Sequence, residues 1–234
     1  MDLNGILIVD KPADWTSHDV VAKLRGALRI KRIGHGGTLD PMATGVLPIF
    51  IGTATRLSNT STDADKEYIA GITLGTVTDT QDITGKVLSE NEVTVTLDDF
   101  KAILPQFMGT QKQIPPMYSA KKQAGKKLYE LARKGIEVER EPREIEIKEL
   151  ELLEANQRDN SLDSTIPLTI KVKCSKGTYI RTLCHDIGAA LGCGATMSSL
   201  RRTMSGSYRI EDAFTLEKTL ESISKGEIEE CLLK

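Results

Sequence analysis

The sequence has few aromatic residues, no paired cysteine motif and no long apolar run. Aromatic residues make up 4% of the 234 residues, so an aromatic side chain beside a candidate site is of particular interest. Its four cysteines are Cys174, Cys184, Cys193 and Cys231. They form no CxxC pair and no zinc-like grouping, which favours reduced thiols over a metal site built on Cys184, His185 and Cys193. Because no run could span a bilayer and no signal pattern begins the chain, we expect a cytoplasmic protein.

A basic excess is also lacking. The net charge is −2, which by itself argues against a nucleic-acid partner. Charge is nevertheless segregated along the chain: residues 63–99 are acidic, whereas 11–37, 112–134 and 171–202 are basic. Such asymmetry fits an anionic ligand bound on one side, and it also fits an ordinary solvated surface. The length suits one large domain or two small ones.

The most informative stretch is residues 34–45, GHGGTLDPMATG, which we call the central loop. It contains three closely spaced glycines, Gly34, Gly36 and Gly37. They predict positive φ angles or a close approach to a bound group. Pro41 fixes its own φ and favours an extended Asp40, so one carboxylate is presented beside the His35 imidazole. Spacing alone leaves open a tight turn, an active site or a phosphate cradle, although the Lys-Ser/Thr ending of such a cradle is missing.

Apolar periodicity predicts the elements around this loop. Strands are expected at residues 5–9, 46–52, 66–75 and 168–174, and helices after the N-cap candidates Ser17, Thr96 and Thr178. Alternation places Tyr68 on the buried face of its strand. Arg181 falls in the first turn of a helix, where the helix dipole disfavours a positive charge, so a specific partner is expected for it.

Several motifs together resemble one family. The segment GHGGTLDPMATGVLP resembles the catalytic loop of the TruB family of pseudouridine synthases, the bacterial branch that modifies the T-loop uridine of tRNA. Further stretches are similar to that family's other motifs: DKP…WTS at 10–17, KEY…LGTVTDTQDITG at 66–85, PPMYSAKK at 115–122, KGTYIRTL at 176–183 and LRRT at 200–203. The resemblance runs from about residue 5 to about residue 205.

This resemblance implies an α+β pseudouridine synthase fold, with a central, mixed and largely antiparallel sheet flanked by helices. A catalytic domain is expected at 1–210 with an RNA-gripping insertion at about 112–144. A helical tail is expected at 211–234, in place of the PUA domain of larger members. The implied function is isomerisation of uridine to pseudouridine at position 55 in the T-loop of tRNA, without cofactor or metal, by a monomer that does not bind membranes. The alternative is a tRNA-folding chaperone in which modification is secondary.

The resemblance also assigns roles to residues. Asp40 is the expected catalytic group, paired with Arg181, and whether it adds to the sugar, adds to the base or abstracts the 2′ proton stays open. The base is expected to be flipped out of its stack, with His35 filling the vacated space. Other substrate-binding residues are Tyr68, Tyr179 and Leu200. Contacts to the RNA backbone are expected from Lys121, Lys122, Lys126 and Lys127, and structural support from Lys11, Pro12 and Gly37.

Overall fold

The computed structural model describes residues 3–123, 125–154 and 160–233, apart from the side chains of Lys122, Gln123 and Glu154. The chain divides into two compact units. The first unit comprises residues 1–69 and 200–234, and the second comprises residues 70–199. In the described parts of the chain, we find no helix with the length and apolar character needed to cross a membrane.

The first seven strands are β1 (Gly5–Lys11), β2 (Ile33–His35), β3 (Thr44–Ile51), β4 (Lys66–Leu74), β5 (Thr76–Thr78), β6 (Val87–Glu90) and β7 (Gly109–Gln113). They are followed by β8 (Lys122–Gln123), β9 (Lys126–Lys127), β10 (Arg143–Glu154), β11 (Leu168–Cys174), β12 (Ala195–Ser205), β13 (Tyr208–Arg209), β14 (Phe214–Thr215) and β15 (Leu232–Leu233). The α-helices are α1 (Ser17–Leu28), α2 (Ser58–Asp63), α3 (Leu97–Ile103), α4 (Leu128–Ala132), α5 (Ile180–Ala190) and α6 (Leu216–Lys225).

The first unit is built on a mixed sheet with the strand order β14-β1-β3-β12. β1 and β3 pair antiparallel from Gly5 opposite Ile51 to Lys11 opposite Gly45, and β3 pairs parallel to β12. The apolar stripe of α1 (Val20, Val21 and Leu24) packs on this sheet together with residues of α6. Burial of these faces holds the ends of β2 and β3, and therefore both ends of the central loop, in place.

The second unit contains the strand order β4-β11-β10-β7. β10 pairs antiparallel to both β11 and β7, and the buried residues of β11 alternate along the strand as predicted. Helix α5 buries Ile180, Leu183 and Ile187. Two short hairpins, β5–β6 and β8–β9, complete this unit within the described residues.

Several local predictions are confirmed. Thr96 and Asp99 form the expected capping box of α3, and Tyr68, Ala70, Ile72 and Leu74 are buried on one face of β4. The tail carries α6, whose N-cap is Thr215. The predicted domain bounds of 1–210 and 211–234, and the insertion at 112–144, stay predictions.

Two predicted helix caps are wrong. Helix α1 is capped by Thr16, whose hydroxyl accepts from the Asp19 N–H, and Ser17 is the first helical residue. Helix α5 has Tyr179 at its N-cap position, without a side-chain cap bond, and the Thr178 hydroxyl donates to the Ser175 carbonyl. Thr16 has the same capping chemistry as its neighbour Ser17, whereas Tyr179 holds the cap position of α5 without a capping side chain.

Candidate active site

The central loop connects β2 to β3 in the first unit, and two of its glycines are needed where they stand. Gly37 has a φ of +94°, which a residue with a side chain rarely adopts. A Cβ atom at Gly36 would overlap Ser61 Oγ and lie 2.8 Å from Phe50 Cε2. Gly34 has neither a positive φ nor a protein atom near its Cβ position, and its expected approach to a bound group stays a prediction. The tight geometry therefore begins at Gly36.

Lys11 lies at the end of β1 and is fully buried. Its ammonium group donates to the carbonyl oxygens of Pro12 at 2.8 Å, Trp15 at 2.6 Å and Pro41 at 3.0 Å. Burial lowers the pKa of Lys11 to about 8, and the negative charge of Asp40 opposes that shift. Three carbonyl acceptors use all three ammonium protons. Lys11 thus ties the central loop to the segment that precedes α1.

The N-terminal turn of α1 is bonded directly to the central loop. The buried Ser17 hydroxyl accepts from the Leu39 N–H at 2.9 Å and donates to the Leu39 carbonyl at 3.2 Å. The Asp14 N–H donates to the Pro41 carbonyl at 2.9 Å. Leu39 and Pro41 flank Asp40, so the backbone on both sides of this carboxylate is fixed. The half-buried Asp40 itself accepts from the Ala43 N–H through its main-chain carbonyl at 3.1 Å.

A second buried cation, Arg202 on β12, holds the other side of the loop. Its Nε donates to the Val46 carbonyl at 2.7 Å and its Nη2 to the Gly37 carbonyl at 3.1 Å. The neighbouring Arg201 forms a two-bond ion pair with Asp10, at 3.1 and 2.7 Å. The sequence predicted for Arg202 only a place in the basic segment 171–202, as part of a surface that contacts the T-arm backbone, whereas the residue is 1% exposed. A signal was present, since an arginine in an apolar strand must have buried acceptors, but the sequence did not indicate which carbonyls they were.

His35, the last residue of β2, is half-buried at the start of the loop. Burial, reinforced by the positive charges of His18 and Arg202, lowers the pKa of His35 to about 4. The imidazole is therefore neutral at physiological pH. The His18 ring packs against it with a centroid separation of 5.2 Å and an interplanar angle of 80°.

The other predicted site residues of the first unit lie on strands. Tyr68 is 9% exposed on β4 and Leu200 is 8% exposed on β12. Pro12 is half-buried beside Lys11. The first unit thus carries Asp40, His35, Tyr68 and Leu200, together with the three predicted support residues.

Arg181 belongs to the second unit and is buried near the start of α5, where it has several specific partners. It is 4% exposed. Its guanidinium donates to the carbonyl oxygens of Thr80 at 2.9 Å and Tyr118 at 2.8 Å, and it lies 3.5 Å from the Asp82 carboxylate. Asp82 also accepts from the Thr84 N–H at 3.0 Å and so organises the turn that ends at Gly85. The expected pairing of Arg181 with Asp40 stays a prediction.

Tyr179 precedes Arg181 and is half-buried. The Gln113 side-chain amide fixes its backbone: the Tyr179 N–H donates to Oε1 at 2.8 Å, and Nε2 donates to the Tyr179 carbonyl at 3.0 Å. This pair of bonds fixes the backbone of the residue at the N-cap position of α5.

The predicted RNA-backbone lysines lie in and beside the β8–β9 hairpin. Lys122 pairs with Lys127 across the hairpin through its backbone, and the Lys122 side chain lies outside the described residues. Lys126 is exposed, and Lys121 and Lys127 are half-buried. The Lys127 ammonium lies 3.3 Å from the Tyr129 hydroxyl. The hairpin is therefore a short structure rich in positive charge.

Across 3–123, 125–154 and 160–233, no group of three or more His, Cys, Asp or Glu side chains is arranged to hold a metal ion. The four cysteines are buried as free thiols. The chemistry that this site offers thus comes from a half-buried carboxylate on a fixed loop, with a neutral imidazole and buried cations around it.

The fold matches solved structures over nearly the whole chain. A Cbf5–Nop10–Gar1 complex has a chain that superposes with a TM-score of 0.75 at 32% identity, over 98% of this chain and 59% of that one. An H/ACA RNP bound to a substrate RNA containing 2′-deoxyuridine gives a TM-score of 0.69 at 31% identity, over 97% of this chain and 56% of that one. This chain thus spans less than two thirds of both structures. The fold and the central loop define a pseudouridine synthase.

Two family models together match residues 25–234. Residues 25–180 match the N-terminal domain of the TruB family pseudouridylate synthases, and residues 181–234 match the C-terminal domain of tRNA pseudouridylate synthase B. The tRNA pseudouridine synthase B of Alkaliphilus oremlandii is 50% identical over 92% of this chain and 70% of its own length. That of Opitutus terrae is 49% identical over 99% and 93%. The chain belongs to the TruB family of pseudouridine synthases, and the predicted family and fold class are confirmed.

Proposed function

We propose that this chain isomerises the uridine at position 55 in the T-loop of tRNA, with Asp40 as the catalytic group. Isomerisation of uridine to pseudouridine in tRNA is the activity of the family to which the chain belongs. The T-loop position and the role of Asp40 are inferred from the resemblance of the central loop. One observation carries the assignment to Asp40: its loop is held on one side by Lys11 and on the other by Arg202.

The reaction explains why a fixed carboxylate is needed. The N-glycosidic bond of the uridine breaks, the uracil turns, and a carbon–carbon bond replaces the carbon–nitrogen bond. A nucleophile or base near C1′ and C2′ of the ribose can drive this exchange, and a carboxylate can act in either way. Bonds to Leu39 and Pro41 restrict the backbone around Asp40 before substrate arrives. Such restriction lowers the entropic cost of reaching a reactive geometry.

Other residues of the first unit are proposed to act in base flipping. Extruding a stacked base costs a few kcal/mol. A neutral His35 ring can occupy the vacated space, because no charge has to be buried with it. Tyr68 can stack on the extruded uracil, and Leu200 can line an apolar wall of its pocket.

Arg181 and the hairpin lysines complete the proposal. The planar guanidinium of Arg181 is aimed by the carbonyls of Thr80 and Tyr118 and by the carboxylate of Asp82. An arginine with this support can orient a second carboxylate or a substrate oxygen. Tyr179 is proposed to contact substrate beside it. Lys121, Lys122, Lys126 and Lys127 are proposed to bind RNA phosphates.

The decisive experiment compares Asp40→Asn with Asp14→Asn. Pseudouridine formation in tRNA transcripts should fall at least ~10³-fold in Asp40→Asn, about 4 kcal/mol of transition-state stabilisation, whereas tRNA affinity should persist. Asp14 is the matched control, since it is exposed near the same loop and its φ of 64° suits asparagine. If Asp40→Asn turned over within a factor of ten of the parent chain, Asp40 would not be the catalytic group.

The chaperone alternative is separated by the same variant. Folding assistance to tRNA does not need the carboxylate, so an inactive Asp40→Asn chain that restored tRNA folding in cells would support the chaperone function. We propose in addition that the active form is a cytoplasmic monomer. Light scattering on the purified chain, alone and with tRNA, tests the oligomeric state.

A further inference from the structure

The His35 ring has few anchors of its own. Its backbone is paired to Ile49 of β3, but the buried Nδ1 atom has no hydrogen-bond partner among the described residues. The terminal torsion of a histidine side chain is broad, so backbone pairing alone leaves the ring plane poorly defined. A ring that must enter an RNA stack needs a defined plane.

His18 provides a contact that can define it. The two rings meet edge-on, with centroids 5.2 Å apart and planes at 80°. This geometry lies within the favourable range for aromatic pairs. The exposed His18 stands on the first turn of α1, next to Ser17.

That turn is fixed to the same loop that His35 begins. A capping box between Thr16 and Asp19 orders the start of α1, and Ser17 is bonded twice to Leu39 of the central loop. The His18 ring therefore stands on a support whose position is set relative to Asp40 by hydrogen bonds. Displacing the His18 backbone would require breaking that support.

We propose that His18 is a positioning residue for His35, holding its ring in the plane in which it replaces the flipped uridine. This inference rests on the proposed role of His35. Loss of His18 leaves the RNA phosphate contacts intact and lowers the fraction of complexes in which His35 is correctly oriented. The effect is therefore expected on the rate of conversion in the bound complex rather than on affinity.

The test uses the full chain and unmodified tRNA transcript. Under single-turnover conditions, His18→Ala should convert tRNA about 10-fold more slowly, with the dissociation constant changed by less than about 2-fold. His18→Phe keeps an edge-on ring and should recover the rate to within about 3-fold of the parent. Ala27→Ser, at an exposed position on the same helix, changes no charge and should match the parent rate, and Lys23→Ala serves as the control in the free protein.

The ring contact can also be observed in the free protein. The chain has three histidines, so their ring signals are few enough to assign by NMR. The His35 signals should shift in His18→Ala and be left in place by Lys23→Ala. A parental rate in His18→Ala, or a His18→Phe chain as slow as His18→Ala, would overturn the inference.

A third variant separates this inference from the proposed function. If His35→Ala is slow while His18→Ala is parental, the positioning role of His18 fails alone. If His35→Ala is itself parental, the stack-filling role of His35 fails. The outcome for Asp40→Asn decides the catalytic proposal independently of both.

Discussion

At the scale of single residues, the Lys11 side chain holds three backbone carbonyls beside the central loop. Replacement by methionine preserves much of its volume but removes the ammonium donor from the half-buried carbonyls of Pro12 and Trp15, whereas the Pro41 carbonyl keeps the Asp14 N–H. Unpaired buried acceptors are costly, so Lys11→Met should lower the free energy of unfolding by about 2–4 kcal/mol. Chemical denaturation measures this value. Lys23→Met, at an exposed position of α1, should change the free energy of unfolding by less than about 0.5 kcal/mol. Equal effects of the two substitutions would contradict the role of Lys11.

His35 makes stability depend on pH in a definite direction. Its pKa of about 4 in the folded chain lies below the ordinary imidazole value of 6.5. Between these pH values the His35 imidazole binds a proton in the unfolded chain but not in the folded chain. The contribution of His35 is therefore complete above pH 6.5 and is lost as the pH falls toward 4. Because the ring is half-buried, we expect a loss of roughly 1–2 kcal/mol rather than the full value of the shift.

Urea unfolding at pH 7, 5 and 4 tests this dependence. His35→Gln carries no titrating group at this position, so its stability should fall less steeply than that of the parent chain over the same interval. Parallel pH profiles for the two proteins would show that His35 titrates normally.

At the scale of elements, the central loop allows a comparison of two glycines. Gly36→Ala places a methyl group against Ser61 and Phe50, and the loop must shift to accommodate it. We expect a loss of about 1–3 kcal/mol in stability and slower pseudouridine formation. Gly34→Ala enters open space at an ordinary φ and should be neutral or stabilising by about 0.5 kcal/mol. Thermal unfolding and a turnover assay compare them; similar losses in both variants would mean that the contact at Gly36 is unimportant.

Local patterns predicted the elements well, and long-range partners not at all. The alternation around Tyr68 and the spacing of Thr96 and Asp99 depend on neighbours a few residues away, so the sequence contains them. Ser17 and Thr16 have similar capping chemistry. The Ser17 hydroxyl is bonded to Leu39, 22 positions away, and Thr16 caps the helix. The guanidinium of Arg202 and the carboxylate of Asp82 are evident from the sequence as charges, but their partners are defined by strand and turn packing.

At the scale of the whole molecule, the distribution of charge matters more than its sum. A chain of net charge −2 should still bind tRNA with strong salt dependence if its basic segments contact phosphates. Changing Lys121, Lys122, Lys126 and Lys127 to glutamine should weaken binding. The slope of log K against log salt should shrink by about 0.7–0.9 for each lost contact.

A matched control for this experiment is available in α6. Changing Lys218 and Lys225 to glutamine removes positive charge from a helix of the tail without touching the hairpin. Salt titrations of tRNA affinity for both variants give the comparison. An unchanged slope in the hairpin variant would mean that these lysines are solvated and bind no phosphate.

The division of the molecule into two compact units was the hardest feature to predict from the sequence. The boundary between the two compact units falls within β4 and within β12, so the first unit is assembled from both ends of the chain. Neither strand contains a glycine-rich or proline-rich linker that would mark a boundary. Hydrophobic patterning identifies a strand, but it does not show which distant strand lies beside it.

The bond between Arg202 and Gly37 has a consequence for how the protein is made. It joins residues 165 positions apart. At usual translation speeds the ribosome releases the glycine roughly 10–30 seconds before the arginine that secures it. A nascent chain therefore carries its central loop without the second anchor until Arg202 has been added. We expect a polypeptide that stops before Arg202 to lack this anchor of the central loop, and therefore to form pseudouridine poorly even when it contains Asp40.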